Sequence, residues 1–146
     1  MRKATALVVG ALLVVALQIQ ADDKADAQKL VGTWTVSQEG KDGKQETAEG
    51  VKGKQVRITR DMITCTDRAQ KTDMAASYTV DTSTKPWTIT LTPTEGEHKG
   101  KTLKGIVKLE GETVEICFAE PDQPAPTEFK AGEKQRCFTL KKGNGE

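Results

Sequence analysis

The feature that most constrains this chain is an alternation of apolar and polar residues that recurs in short segments. In one such segment Trp34 and Val36 alternate with threonine and serine, and in a later one Ile89 and Leu91 alternate with threonine. A period of two places every second side chain on the same face of a β-strand. The sequence therefore predicts strands that each have one buried face.

Several segments follow this pattern, and turn residues such as Gly, Pro, Asp and Ser separate them. The predicted strands cover residues 33–37, 55–59, 62–66, 75–80, 87–92, 101–109, 114–118 and 138–140. Residues 38–54 and 120–135 are instead predicted to be long loops. Many short strands with regular turn signals are typical of an antiparallel barrel or sandwich, and no long segment has the 3.6-residue period of a helix.

Closing such a sheet into a barrel removes the exposed edges that invite aggregation. We therefore expect an all-β fold in the form of an eight-stranded antiparallel up-and-down barrel. A short helical turn over residues 23–29 is expected to precede the first strand. A barrel of eight strands has an interior that side chains fill or that holds one small ligand.

The N-terminal end has the pattern of an export signal. Arg2 and Lys3 precede an apolar run over residues 6–17, and a small residue and an acidic pair follow it. The alternative is an uncleaved anchor, but spanning a bilayer takes about 20 apolar residues, more than this run offers. We expect residues 1–21 to be a signal peptide and residues 22–146 to form one barrel domain, exported to the periplasm or the cell exterior.

The charge distribution and the hydropathy of the sequence argue against nucleic acid as a partner and against a membrane span. The chain has 22 Lys and Arg against 21 Asp and Glu, and removal of residues 1–21 would take away Arg2 and Lys3. The remaining charges are interspersed, whereas a nucleic-acid-binding protein normally carries a basic patch or stripe. After the N-terminal run no segment is apolar enough to span a membrane. We expect a monomer that binds no nucleic acid and has no stable membrane span; the sequence does not identify a protein partner.

The residues needed for catalysis or metal binding are not assembled in this sequence. His98 is the only histidine and lies in a polar Glu-Gly-Glu-His-Lys-Gly segment, so we interpret it as a solvated loop residue. A zinc site needs several Cys or His ligands at suitable spacing, and a nucleophile needs an oriented base. We therefore expect no catalytic residues, no metal, no cofactor and no enzymatic activity.

The three cysteines suggest one disulfide, which export permits. If the last two strands pair antiparallel with Ile116 opposite Phe138, the same register places Cys117 opposite Cys137 on the other face. Residues directly opposite each other in a ladder come close enough for a bridge. We predict a Cys117–Cys137 disulfide with Cys65 free; other pairings, or three reduced thiols, remain open.

Several sequence blocks resemble a known family. Gly32-Thr33-Trp34 looks like the Gly-x-Trp signature at the start of the first strand of lipocalins. The blocks that carry a narrower resemblance are residues 30–34, 78–81, 83–86, 95–96, 99–102, 105–117 and 126–129. Together they resemble a lipocalin-like family of uncharacterised exported bacterial proteins, expanded in planctomycetes, over about residues 28–142. The positions that depart from the family's usual residues are Thr90, Val107, Glu112 and Ala125.

This resemblance implies a lipocalin-like barrel with one end closed by Trp34. Trp34 has two interpretations: a structural plug stacked against a cation from Lys141 or Lys142, or a wall of a ligand site. The candidate ligand-binding residues of the barrel interior are Trp34, Val36, Tyr78, Trp87, Ile89 and Phe118.

Three functions are open at this point. The first is binding of a small apolar molecule at the open mouth of the barrel, with residues 38–54 as a mobile lid. The second is a filled barrel that acts as a structural or protein-interaction domain of the cell envelope and binds no ligand. The third, an enzyme such as a hydrolase, is remote because the catalytic groups are lacking.

Overall fold

The computed structural model describes residues 27–143, so the predicted signal peptide lies outside the described residues. Ala27 and Gln28, which belong to the predicted N-terminal helical turn, are helical. Residues 23–26 of that predicted turn lie outside the described residues. The strands are β1 (Gly32–Lys41), β2 (Lys44–Gln45), β3 (Gln55–Ile58), β4 (Met62–Thr66), β5 (Thr72–Asp81), β6 (Trp87–Pro93), β7 (Leu103–Glu110), β8 (Thr113–Ala119) and β9 (Gln135–Lys142). One short helix, α1 (Ala48–Val51), lies between β2 and β3.

The strands form one closed antiparallel sheet. The order from β1 through β3 to β9 follows the sequence, and pairing of β1 with β9 closes the ring. The two-residue strand β2 is an addition to this ring and forms a hairpin with the end of β1. The predicted eight-stranded up-and-down barrel is therefore confirmed.

The two ends of the barrel differ in the length of their connections. Short turns join β3 to β4, β5 to β6 and β7 to β8 at the end where β1 begins. Three of the four connections at the opposite end are longer than any of these, and the longest is residues 120–134 between β8 and β9. We call the first the closed end and the second the mouth.

The interior is packed with the side chains that the alternation places inward. The largest fully buried ones include Trp34, Leu30, Ile58, Ile89, Leu91, Leu140, Val107 and Val114. The register of β8 and β9 is the predicted one, with Ile116 opposite Phe138. The inward-facing apolar side chains of the alternation thus form most of the core.

Gly105 is an inward position of β7 that must remain small. It lies opposite Phe118 of β8, and a Cβ at this position would meet the Cys117 carbonyl oxygen and the Phe118 Cβ. We expect Gly105→Ala to lower the free energy of unfolding by about 2 kcal/mol, because both neighbours belong to a packed sheet. Urea denaturation checks this, with Gly132→Ala as control, where the added carbon meets the flexible end of Gln135. Equal losses in the two variants would contradict the prediction.

The structure corrects the interpretation of residues 38–54 as one long loop. The first four of these residues continue β1, and the next ones form β2 and α1. The continuation was missed because a β-bulge at Ser37 breaks the alternation: Val36 pairs with Leu140 and Gln38 with Thr139, so one residue is extra. Beyond the bulge the odd-numbered residues face inward, which the pattern before it does not predict.

The predicted disulfide is confirmed. Cys117 and Cys137 are bonded and lie directly opposite each other on β8 and β9. They are on the outer face of the wall, since their neighbours Ile116 and Phe138 belong to the interior cluster. Cys65, which belongs to that interior cluster, is a free thiol.

Candidate functional site

Trp34 closes one end of the barrel. Its side chain is 1% exposed, and its Nε1 donates a hydrogen bond to the Leu30 carbonyl oxygen at 2.8 Å. The Lys142 Nζ lies 4.8 Å from the centre of the indole ring, whereas Lys141 contacts Thr113. A cation over an indole face is attracted by the ring electrons. This is the arrangement that the structural interpretation of Trp34 predicts.

The middle of the barrel is almost full. The interior cavity measures about 10 Å³ and is lined by apolar side chains that include Ile63, Cys65 and Phe138. A cavity of about 10–15 Å³ holds roughly one water molecule. In this conformation the middle of the barrel has no room for a small organic ligand.

The mouth contains a cavity of about 290 Å³, which we call the mouth cup. Met74, Leu103 and Phe118 give the cup an apolar lining, and Met74 and Phe118 also border the small interior cavity. Asp73, Arg136 and other charged side chains complete its wall. Ligand sites are commonly apolar concavities of about 300 Å³ or more with a few polar groups.

A larger depression of about 610 Å³ lies between Lys101, Lys104 and residues 121–124. Its lining residues are mostly exposed polar side chains and prolines of the outer surface. The mouth cup is the better candidate site because buried apolar side chains and ion-paired charged side chains meet there.

A cluster of four charged residues around the buried Glu39 lies beside the mouth cup. Glu39 is 6% exposed; its Oε1 accepts a hydrogen bond from Lys54 Nζ at 2.9 Å, and its Oε2 accepts two from Arg136 at 2.8 and 3.0 Å. Arg136 Nη2 also donates to Asp73 Oδ2 at 3.0 Å. The cluster has two positive and two negative groups, so each charge has an opposite partner.

The cluster explains the direction of two pKa shifts. Burial alone would lower the pKa of Arg136, but the charge and hydrogen bonds of Glu39 and Asp73 outweigh burial and raise it. Burial also opposes the charge of Lys54, and its hydrogen bond to Glu39 raises the pKa of this lysine above its ordinary value. Both cations are therefore held in their charged forms.

Two β-bulges bring the carboxylates to this place. The bulge at Ser37 turns Glu39 toward the inside of the barrel, opposite Phe138. A second irregularity in the pairing of β4 with β5, where Cys65 pairs with Met74 and Thr66 with Thr72, leaves Asp73 as the extra residue. Bulges re-aim side chains and are frequent at barrel rims.

Cys65 lies below the cluster in the interior and is 0% exposed. Burial raises the pKa of its thiol from 9.0 to about 11. Because the thiolate is the nucleophile, a buried thiol with a raised pKa is chemically inert.

We expect Cys65 in the oxidised, folded protein to react with a thiol reagent at pH 8 about 100-fold more slowly than an exposed cysteine. Two pKa units lower the thiolate fraction by that factor, and burial slows access further. The measurement is the rate of alkylation without reductant; the same protein in urea is the control and should react at the rate of a free thiol. Rapid reaction of the folded protein would show that the interior opens readily.

The predicted ligand-binding residues lie at different heights in the barrel. Trp34 and Trp87 are toward the closed end, Val36 and Ile89 are buried in the core, and the Tyr78 hydroxyl donates to the Thr59 carbonyl oxygen at 2.7 Å. Phe118 is the one residue of the six that lines the mouth cup. Whether any of the six binds a ligand stays a prediction.

His98 lies in the loop between β6 and β7 and lines the mouth cup. Its Nδ1 is buried and has no hydrogen-bond partner among residues 27–143. The interpretation as a solvated loop residue therefore does not describe this atom, and the polar sequence around it gave no signal of burial.

These features define a closed antiparallel barrel with a plugged end and a charged, apolar-lined cup at its mouth. Comparisons with models of protein families, with curated proteins and with solved structures find no match. Within the described residues no group of three or more metal-ligating side chains is assembled. No helix in that part of the chain has both the length and the apolarity to cross a bilayer.

Proposed function

We propose that this chain is an exported small-molecule-binding protein of lipocalin-like type and that its ligand occupies the mouth cup. The observation that carries the proposal is the cup itself, about 290 Å³ with an apolar lining of Met74, Leu103 and Phe118 beside the ion-paired charge cluster. Such a cup suits a molecule with an apolar part and a polar group. The nearly full interior favours binding at the mouth over binding at the level of Ile89.

The same proposal includes export of the chain and its membership of the lipocalin-like family that it resembles. The Cys117–Cys137 bond fits an oxidising compartment, and the pattern of residues 1–21 is that of an export signal. The closed barrel and the position of Trp34 fit the lipocalin-like resemblance of residues 28–142. We propose that the chain acts without enzymatic activity.

Native mass spectrometry of the protein purified from its own host tests this function. We expect a mass above that of the disulfide-bonded chain, and a small organic compound released on denaturation. Met74→Ala removes apolar lining from the cup and should weaken retention of that compound about tenfold, since each buried methylene contributes about 0.8 kcal/mol. Leu109→Ala is the matched control, because Leu109 is also half-buried and inward-facing but lies toward the closed end. Equal retention in both variants would contradict binding in the mouth cup.

The second candidate is a filled barrel that acts as a structural or protein-interaction domain of the cell envelope. The interior cavity of about 10 Å³ favours it. This hypothesis also calls for a contiguous apolar outer patch, and among residues 27–143 Val31 is the one exposed large hydrophobic residue. If protein purified from its host carries no bound compound, that result would support this candidate.

A further inference from the structure

Basic side chains of β9 and β1 and acidic side chains of β5 and the loop after β6 line opposite sides of the mouth cup, and Glu120 and Lys134 of the connection between β8 and β9 also line it. In a ring of eight strands β9 lies opposite β5, and β1 lies opposite β6. Arg136 of β9 and Lys41 of β1 form a basic wall, and these two residues are directly paired. Asp73 of β5 and Glu95 and Glu97, which follow β6, form the facing acidic wall.

One ion pair connects the two walls. The Arg136 Nη2 reaches the Asp73 Oδ2 at 3.0 Å. The Nε and Nη2 of Arg136 have partners, whereas Nη1 has none among residues 27–143. A guanidinium has five N–H donors in a planar fork, so Arg136 has donors left for an oxygen acceptor in the cup.

The acidic side of the cup also has an unused group. The His98 Nδ1 is buried without a partner in the described part of the chain, and it belongs to the same loop as Glu95 and Glu97. A neutral imidazole nitrogen without a proton accepts a hydrogen bond. Buried polar atoms without partners are rare in folded proteins, and a ligand is one reason for an exception.

Charge balance decides which ligand fits between these walls. A ligand carboxylate that enters between Arg136 and Asp73 leaves Asp73 without its ion-pair partner, whereas Arg136 keeps its hydrogen bonds to Glu39. Asp73 is 40% exposed, so water compensates part of this loss, and a cationic group on the ligand restores an opposite charge beside it. A molecule that carries both charges gives each wall an opposite partner.

We propose that the mouth cup binds a small zwitterion of the α-amino-acid type, with its carboxylate on Arg136, its ammonium group on Asp73 and His98, and an apolar side chain against Met74 and Phe118. This inference rests on the proposed function and assigns its ligand class. The ammonium group must carry N–H donors, because the His98 Nδ1 accepts a hydrogen bond in this arrangement. A single charge or a quaternary ammonium does not satisfy both walls.

Three probes with the same phenyl ring test the charge requirement by isothermal titration calorimetry at pH 7. They are L-phenylalanine, 3-phenylpropionate, which lacks the ammonium group, and 2-phenylethylamine, which lacks the carboxylate. We expect L-phenylalanine to bind at least about tenfold more tightly than either other probe, the effect of one charge-assisted hydrogen bond. N,N,N-Trimethyl-L-phenylalanine, a zwitterion with the same phenyl ring but without N–H donors, should also bind more weakly. Tighter binding of any of these three competitors would overturn the inference.

The variant Asp73→Asn separates ligand recognition from stability. It removes the negative charge of Asp73 at a half-exposed position and leaves Arg136 paired with Glu39, so L-phenylalanine should bind about tenfold more weakly while 3-phenylpropionate gains affinity. Glu115→Gln is the matched control, since Glu115 forms an exposed ion pair with Lys108 at 3.0 Å outside the cup. The control should keep the wild-type order of affinities. An unchanged order in Asp73→Asn would overturn the inference.

The outcomes distinguish this inference from the function on which it rests. If no probe binds, or if the first three probes bind equally, the zwitterion assignment is wrong. The mass spectrometry of host-purified protein then reports independently whether the mouth cup holds another compound. If host-purified protein carries nothing and no probe binds, both proposals fail.

Discussion

Replacing Trp34 by alanine is expected to lower the free energy of unfolding by about 4 kcal/mol, the largest effect we foresee for a single substitution. The indole is 1% exposed, donates to the Leu30 carbonyl oxygen and lies under the Lys142 ammonium group. Alanine would leave a cavity at the closed end and an unused carbonyl group. The turn over residues 27–30 would also lose the surface on which it packs.

Urea denaturation followed by circular dichroism measures this loss. Trp87→Ala is the matched control because the chain has two tryptophans and Trp87 is only half-buried, with Lys85 over its ring at 5.8 Å. The control should lose less than half as much. A loss below about 1 kcal/mol for Trp34→Ala would show that the closed end does not depend on the indole.

Removing the carboxylate of Glu39 is expected to have the second-largest effect. Glu39→Ala leaves Arg136 and Lys54, which are 20% and 19% exposed, without their shared partner. Removal of one member of a buried ion pair costs about 3–5 kcal/mol, and the residual exposure of the two cations places our expectation at about 3 kcal/mol. The mouth should loosen more than the closed end.

Chemical denaturation gives the total loss, and amide hydrogen exchange shows where it occurs. Glu115→Ala serves as control because its ion pair with Lys108 is exposed, and exposed ion pairs contribute little to stability. Exchange should quicken in the ends of β1 and β9 at the mouth and remain slow around Trp34. Uniform acceleration along the chain would contradict a local role for Glu39.

The sequence predicted the barrel and one long-range register because both follow from alternation. Once Ile116 and Phe138 were assigned to the interior, the face opposite them was determined, and Cys117 had to meet Cys137. The side chains of a strand alternate with a period of two, so one correct pair sets the rest of the ladder. The confirmed disulfide is a direct consequence.

The charge cluster could not be predicted because two bulges create it. A bulge adds one residue and reverses the face of everything that follows, and no simple pattern in one sequence marks where this occurs. Glu39 therefore lies in a segment interpreted as a long loop and Asp73 lies outside the predicted strands, although Glu39 is buried and both residues contact Arg136.

The position of a residue along the barrel axis was the second property that the sequence did not predict. Alternation separates inward from outward side chains, but it does not say which inward residues lie at the mouth. The apolar residues selected as ligand candidates were therefore spread along the whole axis, with Phe118 alone at the cup. Arg136 and His98 were not selected because polar residues near turns are usually solvated.

The sheet wall also acts as a barrier to thiol chemistry. The Cys117–Cys137 bond is on its outer side and the Cys65 thiol is on its inner side, without access to solvent. Thiol–disulfide exchange requires a thiolate to attack a sulfur atom directly, and here a layer of paired backbone separates the two. A chain with an odd number of cysteines can thus keep one bond arrangement in an oxidising medium for as long as its barrel stays closed.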